Sequence, residues 1–302
     1  MKWEWRGINA WKNPFDGGEK LVVQYRGIEF ESVDAGHVFL GTEKGGWMYG
    51  GQRPRHEVRC PQFYVTKAVL SQPQLKDLLN LKDDDIKLGG ERIQQICFDL
   101  TNDLHSTEFE LDPSKKWEVR CPSEGEWRRA HDFLELNLEP GKIEILSDGV
   151  SDNYRGAMMD GRPRAFEGLG PMARHRAAIE THPRQEGITA LSSAPMDREL
   201  KEIVIRLVIT PIREGDAVRV PRNADFSANI RGEIFWTFLL GVLPSFAIPI
   251  ARGMGSYATT GWANLLFGGL CAGFVTGAFW RPRRPTILYE DAEESSIGIG
   301  RD

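Results

Sequence analysis

The sequence lacks the features that mark disulfide-stapled, zinc-binding and nucleic-acid-binding proteins. Its four cysteines, Cys60, Cys97, Cys121 and Cys271, include no CxxC pair, so neither a disulfide framework nor a zinc site is indicated. A formal net charge of -5 provides no basic field that would hold a nucleic-acid backbone. The charged, aromatic N-terminus has no apolar segment of the kind found in signal peptides. We therefore expect no nucleic-acid partner, and a soluble region that stays in the cytosol.

Charged residues are absent from two long segments near the C-terminus, 234–251 and 257–280. At about 1.5 Å per residue, each is long enough to cross the hydrocarbon core of a bilayer. The linker between them is too short to be a domain, so the two helices must be antiparallel neighbours. Arginines flank the pair on the outside, whereas the turn contains Arg252 alone; the flanking ones are Arg219, Arg222, Arg231, Arg281, Arg283 and Arg284. This bias predicts an integral membrane protein whose soluble domain and both termini are cytoplasmic.

Three glycines at helical spacing, Gly269, Gly273 and Gly277, form a small-residue stripe on the second predicted helix. Such a stripe lets another helix approach closely within lipid. The neighbour is either the first helix of the same chain or a second copy of the protein. No ionisable residue lies in either segment, which argues against a pore or a transporter. The predicted partners are therefore the lipid bilayer and either a protein partner or another copy of the chain.

From about Leu21 to Pro211 the sequence alternates short β-prone segments, a few amphipathic helices and many Gly/Pro turns, which predicts an α+β domain with much irregular structure. Apolar spacing predicts helices over 70–81 and 91–104. A short strand is expected at 117–121. Ser123 and Glu126 then form a capping box, in which each side chain bonds the backbone amide of the other.

Four segments occur in an order that resembles a known family. They are VFLG (38–41), RPRHEVRCPQFYVTKAVLSQPQL (53–75), WEVRCPSEGEWRRA (117–130) and IVIRLVI (203–209). Together they resemble the sulfatase-modifying factor family, the formylglycine-generating-enzyme-like domains. This resemblance implies a C-type-lectin-like α+β fold over residues 36–211. The predicted plan is then an N-terminal segment with the start of a strand hairpin (1–35), this domain, a linker (212–233), two transmembrane helices (234–251 and 257–280), and a basic then acidic disordered tail (281–302).

The resemblance also implies where catalytic cysteines would stand. Family members that oxidise a sulfatase cysteine use two thiolates to hold copper, and the matching positions here are Glu167 and Met172. No cysteine lies between Cys121 and Cys271, so the copper-binding pair is missing. The six histidines are scattered and do not match the ligand cluster of the family's non-haem iron enzymes. We therefore expect no metal, no cofactor and none of the oxidase chemistry.

A cluster of basic residues marks the loop where the family keeps its substrate groove. Guanidinium groups there could grip a carboxylate or a phosphate; the alternative is a solvated or purely structural role. The candidate ligand-binding residues are Arg162, Arg164, Arg174, His175 and Arg176.

Three functions fit these observations. The first is a non-catalytic module that binds a ligand or a protein and is held at the cytoplasmic face of a membrane. The second is an enzyme of the same family with altered chemistry that uses the arginine loop, because one fold supports many sites. The third is a structural subunit of a membrane complex, contacted through the glycine stripe.

Overall fold

The computed structural model describes residues 21–79, 86–106, 114–134, 136, 138, 140–168, 172–180, 189–223, 226–290 and 292–293. The remaining positions, which include the Trp-rich N-terminus (1–20) and the end of the acidic tail (294–302), lie outside the described residues.

The described residues form a mixed α+β structure. Its strands are β1 (Val22–Tyr25), β2 (Ile28–Val33), β3 (Gly36–Leu40), β4 (His56–Cys60), β5 (Phe63–Val65), β6 (Trp117–Arg120), β7 (Ile143–Gly149), β8 (Arg174–Glu180), β9 (Thr189–Pro195), β10 (Ile203–Ile205) and β11 (Val208–Pro211). Its helices are α1 (Gln72–Leu79), α2 (Gly90–Ser106), α3 (Glu124–Leu134), α4 (Phe226–Thr237), α5 (Leu243–Ala251), α6 (Gly255–Thr260) and α7 (Trp262–Phe279). A 3-10 helix spans Trp47–Gln52, and a π-helix, Phe238–Val242, joins α4 to α5.

Three sheets organise the domain. The largest has the antiparallel order β1-β2-β5-β11-β6, the second has the order β10-β7-β8-β9, and β3 pairs with β4 alone. Side chains alternate along β2, so Phe30 faces a core that contains α2 whereas Val33 faces a core that contains α3. The five-stranded sheet therefore has a hydrophobic core on each of its faces.

Several local predictions are confirmed. The helix expected at 91–104 is α2, and its apolar stripe, which includes Ile93, Ile96 and Leu100, is buried. The capping box also forms. The backbone amide of Ser123 donates to Glu126 Oε2 at 3.0 Å, and the amide of Glu126 donates to Ser123 Oγ at 3.3 Å.

Segments on both sides of residues 36–211 contact the domain. The strand hairpin that starts before residue 36 is β1 and β2, which belong to the main sheet, where β2 pairs with β5. Part of the tail, 281–290, also contacts the domain. Ile287 pairs with His56 as a parallel bridge, and the carbonyl of Ile287 accepts the amide of Glu57 at 2.9 Å. These apolar tail residues pack on the α3-side core, which compensates the cost of ordering them.

Two C-terminal helices, Phe226–Ala251 and Trp262–Phe279, are long and apolar enough to cross a membrane. The first begins at Phe226 rather than at 234, and the second begins at Trp262, after the short helix α6 and a turn at Gly261. Pro244 cannot donate an amide hydrogen bond, which accounts for the π-helix immediately before it. We call residues 226–279 the helical hairpin.

Two glycines of the stripe, Gly269 and Gly273, face the first helix of the same chain, and Gly277 lies against Arg281. A Cβ atom on Gly273 would lie 2.8 Å from the carbonyl oxygen of Thr237, and one on Gly269 would lie 2.7 Å from Cα of Val242. Gly273 therefore allows close backbone approach within the hairpin. The sequence left open whether the neighbour of the stripe is the first helix of the same chain or a second copy of the protein. In the structure, the stripe packs against its own chain.

Candidate functional site

A small buried cavity lies where β4, the start of α3 and the end of β7 meet. The space open to the centre of a water molecule is about 30 Å³, which is room for one or two waters. Its walls include His56 from β4, Glu124 from α3, Asp148 from β7, Tyr154 from the following loop and Arg176 from β8. We call it the His56 cavity.

His56 has an imidazole nitrogen without a protein partner. The residue is 0% exposed, and its Nδ1 lies 3.2 Å from the carbonyl oxygen of Pro54, so Nδ1 holds the proton. Nε2 has no hydrogen-bond partner among the described residues. Burial, with smaller contributions from the charges of Arg164 and Arg176, lowers the pKa of His56 to about 4. The cavity therefore contains a neutral imidazole whose lone pair is free to accept a hydrogen bond.

Glu124, Tyr154 and Arg176 form one hydrogen-bonded group beside this imidazole. Arg176 Nε lies 2.5 Å from Glu124 Oε2, and its Nη2 donates to the Tyr154 hydroxyl at 2.5 Å. The Tyr154 hydroxyl in turn donates to Glu124 Oε1. Burial raises the pKa of Glu124, while the Arg176 charge and the Tyr154 hydrogen bond oppose that rise. The polar atoms of this group largely satisfy one another.

Asp148 connects the cavity to the fold. Its Oδ2 accepts the backbone amide of Glu124 at 2.6 Å, and its Oδ1 accepts the amide of Arg164 at 2.7 Å. The first bond satisfies an amide in the first turn of α3, where a carboxylate is also favoured by the helix dipole. Burial raises the pKa of Asp148, and these two hydrogen bonds oppose the rise. Asp148 is therefore committed to holding the loop against the helix.

Three of the five predicted ligand-binding residues line the cavity: Arg162, Arg164 and Arg176. Two of them are already engaged elsewhere, since Arg162 Nη2 lies 2.6 Å from Asp160 and Arg164 donates to the carbonyl oxygens of Asn153 and Arg155, each at 2.8 Å.

The other two predicted residues, Arg174 and His175, do not line the cavity. Arg174 is exposed at the start of β8. Because side chains alternate along a strand, His175 points to the opposite face from Arg176. There its Nδ1 lies 3.0 Å from the carbonyl oxygen of Leu146. The predicted cluster is therefore divided between the two faces of β8.

The two positions matched to catalytic cysteines lie at the surface. The Glu167 side chain is 55% exposed and pairs with Arg164 at 2.6 Å, and Met172 is 78% exposed. Neither lines the His56 cavity. Across the part of the chain that the structure describes, no group of three or more His, Cys, Asp or Glu residues is placed to hold a metal ion.

Sequence reasoning missed most of the cavity. The sequence patterns do not single out Glu124, Asp148 or Tyr154, and they include His56 only as part of the segment 53–75. The available signals were the burial-prone strand around His56 and a carboxylate in the first turn of a capped helix. Neither identifies a cavity, because its walls come from segments far apart in the sequence.

No family model and no curated protein matches this chain. Two solved structures have some similarity to it. PvdO from Pseudomonas aeruginosa is 13% identical, with 64% of this chain and 100% of that chain covered and a TM-score of 0.45. Treponema denticola variable protein 1 is 10% identical, with 65% and 100% covered and the same TM-score of 0.45. Similarity at this level assigns neither a family nor a function.

Proposed function

We propose that this protein is a membrane-anchored binding module: a non-catalytic domain, related to the sulfatase-modifying factors, held at the cytoplasmic face by the helical hairpin. The observation that carries the anchor is the outward face of the hairpin. Large apolar side chains such as Phe235, Phe238, Phe267 and Phe279 are more than half exposed along both helices. A continuous apolar surface of this kind is unfavourable in water and favourable in lipid.

Tight contacts at the base of the hairpin support an anchor that holds the domain rather than a loose tether. The Trp47 ring stands 5.6 Å from that of Phe274. A Cβ atom on Gly46 would lie 2.8 Å from the carbonyl carbon of Phe279, so backbone meets backbone there. The buried guanidinium of Arg281 donates to Glu233 Oε2 at 2.8 Å. The domain is thus packed directly on the end of the helices.

The non-catalytic part of the proposal is supported by Glu167 and Met172, which are exposed and supply no thiolate pair.

Alkaline extraction of membranes tests the anchor. The wild-type protein is expected to remain in the membrane pellet, whereas Phe267→Asp combined with Ile248→Asp should release it, because charges in the hydrocarbon are costly. An Arg252→Cys variant tests orientation, because a membrane-impermeant maleimide should label it only from the non-cytoplasmic side. Release of the wild-type protein at alkaline pH would contradict the anchor, and labelling from the cytoplasmic side would contradict the orientation.

One observation favours the enzyme alternative: Nε2 of the neutral His56 imidazole has no hydrogen-bond partner among the described residues and could accept a hydrogen bond from a small substrate in the His56 cavity. Incubating the purified protein with a cell extract and following small molecules by mass spectrometry tests this. A metabolite consumed by the wild type and not by His56→Gln would support the enzyme and contradict a purely binding role. Equal profiles would support the binding module.

A further inference from the structure

A second and much larger cavity lies where the helical hairpin meets the domain. It offers about 750 Å³ to the centres of water molecules, which is in the range of sites for small organic ligands. Arg53 and Arg155 line it from the domain, and Thr237 and Phe274 line it from the apolar parts of the two helices. The cavity therefore joins the polar domain to the apolar helices. We call it the interface cavity.

The lining of this cavity has an excess of positive charge. Among the described residues that line it are four arginines and one carboxylate, Glu233. Glu233 is occupied by Arg281, whose Nε donates to it at 2.8 Å. The guanidinium groups of Arg53, Arg155 and Arg284 have no carboxylate partner among the residues that the structure describes.

These three guanidinium groups bond uncharged oxygens instead. Arg53 donates to the carbonyl of Gly45 at 3.1 Å, Arg155 donates to the carbonyl of Asn223 at 2.9 Å, and Arg284 donates to the side-chain oxygen of Asn229. Burial lowers the pKa of Arg53, and the charges of Arg284 and Arg155 lower it further, against the opposing effect of Glu233. The groups repel one another, so a bound anion would lower the energy of all three.

The lining of the interface cavity also includes aromatic side chains. Trp47, Phe226 and Phe274 line it, and the rings of Trp47 and Phe274 are in contact. An inorganic anion would use the arginines and leave this aromatic surface uncovered. A ligand with both a phosphate and an apolar body would contact both the arginines and the aromatic rings. With the hairpin in a bilayer, the arginines would lie near the headgroups, where such ligands are abundant.

We propose that the interface cavity binds the phosphate of an anionic phospholipid, with Arg53, Arg155 and Arg284 around the phosphate and the first part of the acyl chains against Trp47, Phe226 and Phe274. The proposal rests on the membrane insertion of the hairpin argued above. Inorganic phosphate shares the anionic group but lacks the apolar body, so it is expected to bind more weakly than the lipid.

Native mass spectrometry of the full-length protein in detergent, titrated with phosphatidylglycerol or phosphatidylcholine, tests the site. The wild type is expected to prefer phosphatidylglycerol, and Arg53→Gln should weaken that binding about tenfold, the equivalent of one charge-assisted hydrogen bond. Arg53→Lys should retain part of it. Arg252→Gln is the matched control, since it removes one exposed charge at the far end of the hairpin. Equal binding of the two lipids, or equal losses in Arg53→Gln and Arg252→Gln, would overturn the proposal.

Two further experiments distinguish a failure of the phospholipid site from a failure of the membrane anchor. Inorganic phosphate is added to the lipid-free protein, and the thermal unfolding temperature is followed. If phosphate raises the unfolding temperature as much as phosphatidylglycerol does, and the increase is lost in Arg53→Gln, that result would assign the site to free phosphate and overturn the proposal of a lipid ligand. Flotation with vesicles of phosphatidylcholine alone tests insertion independently of the site. If the protein floats with the vesicles but shows no lipid preference in detergent, the phospholipid site is wrong and the membrane anchor stands. If it binds phosphatidylglycerol in detergent but does not float, the membrane anchor is wrong.

Discussion

Replacing Glu144 with glutamine is expected to destabilise the domain by about 3–5 kcal/mol, the cost of removing one partner from a buried ion pair. The side chains of Glu144 and Arg206 are both 0% exposed, and Arg206 Nε lies 2.8 Å from Glu144 Oε1. The same oxygen accepts the indole N–H of Trp127 at 3.0 Å. Glutamine preserves the shape and can still accept from Trp127. The loss therefore measures the contribution of the buried ion pair between Glu144 and Arg206.

Thermal unfolding of the full-length protein in detergent, followed by tryptophan fluorescence, measures this loss. At about 2–4 °C per kcal/mol for a domain of this size, the unfolding temperature should fall by roughly 6–20 °C. Adding Arg206→Met removes the buried positive charge, so the double variant is expected to recover at least half of the lost stability. A single variant that unfolds at the wild-type temperature, or a double variant less stable than the single one, would refute the reasoning.

Three other perturbations have definite expected outcomes. Gly273→Leu should destabilise the hairpin by about 1–3 kcal/mol, because the added side chain overpacks against Thr237. Gly268→Leu is the control, since its Cβ would meet nothing within 4 Å, and it should cause no such loss. Equal unfolding of the two variants in detergent titrations would contradict the observed packing. The pKa of His56 is lowered to about 4 in the folded protein, from the ordinary value of 6.5. As the pH falls, the unfolded chain therefore takes up this proton before the folded protein does. The free energy of unfolding that His56 contributes above pH 6.5 should fall by about 3 kcal/mol as the pH drops to 4. Burial also raises the pKa of the nearby Glu124 and Asp148 carboxyl groups. The measurement is therefore the difference between wild type and His56→Gln in denaturant titrations, and parallel curves would contradict the assignment. Ending the chain after residue 284 removes Ile287 and its bridge to His56, which should lower the unfolding temperature by about 5–10 °C; an unchanged temperature would show that the tail adds no stability.

Local features of the fold could be predicted from the sequence because their causes lie within a few residues. The apolar spacing of α2 and the capping box of Ser123 and Glu126 are both of this kind. The wider surroundings of Glu126 could not be predicted. Its carboxylate also accepts from Thr210 and Arg213, which are 84 and 87 positions further along the chain. Such pairings depend on strand order, which no local pattern encodes.

The candidate site divides along the same line. Arg162, Arg164 and Arg176 were found because they cluster in the sequence, whereas His56 and Tyr154 meet only in the folded domain, with ring centroids 5.1 Å apart. In the C-terminal segment the charge pattern and the apolar pattern point in different directions. The charged residues of 281–302 predict disorder, whereas the apolar residues after Pro285 favour packing, and Ile287 packs on the domain.

The two cavities share one short segment of chain. Arg53 and Pro54 line the interface cavity, and the carbonyl of Pro54 fixes the imidazole of His56 in the smaller one. Asn153 lines both. Ile287, from the segment that returns from the hairpin, bonds the backbone on either side of His56, at Arg55 and Glu57. Any displacement of this segment on binding in the interface cavity would therefore move the hydrogen-bond acceptor that orients His56. This shared wall gives a physical reason for packing the domain directly on the hairpin, because a flexible tether would hold the domain near the membrane without joining the two cavities.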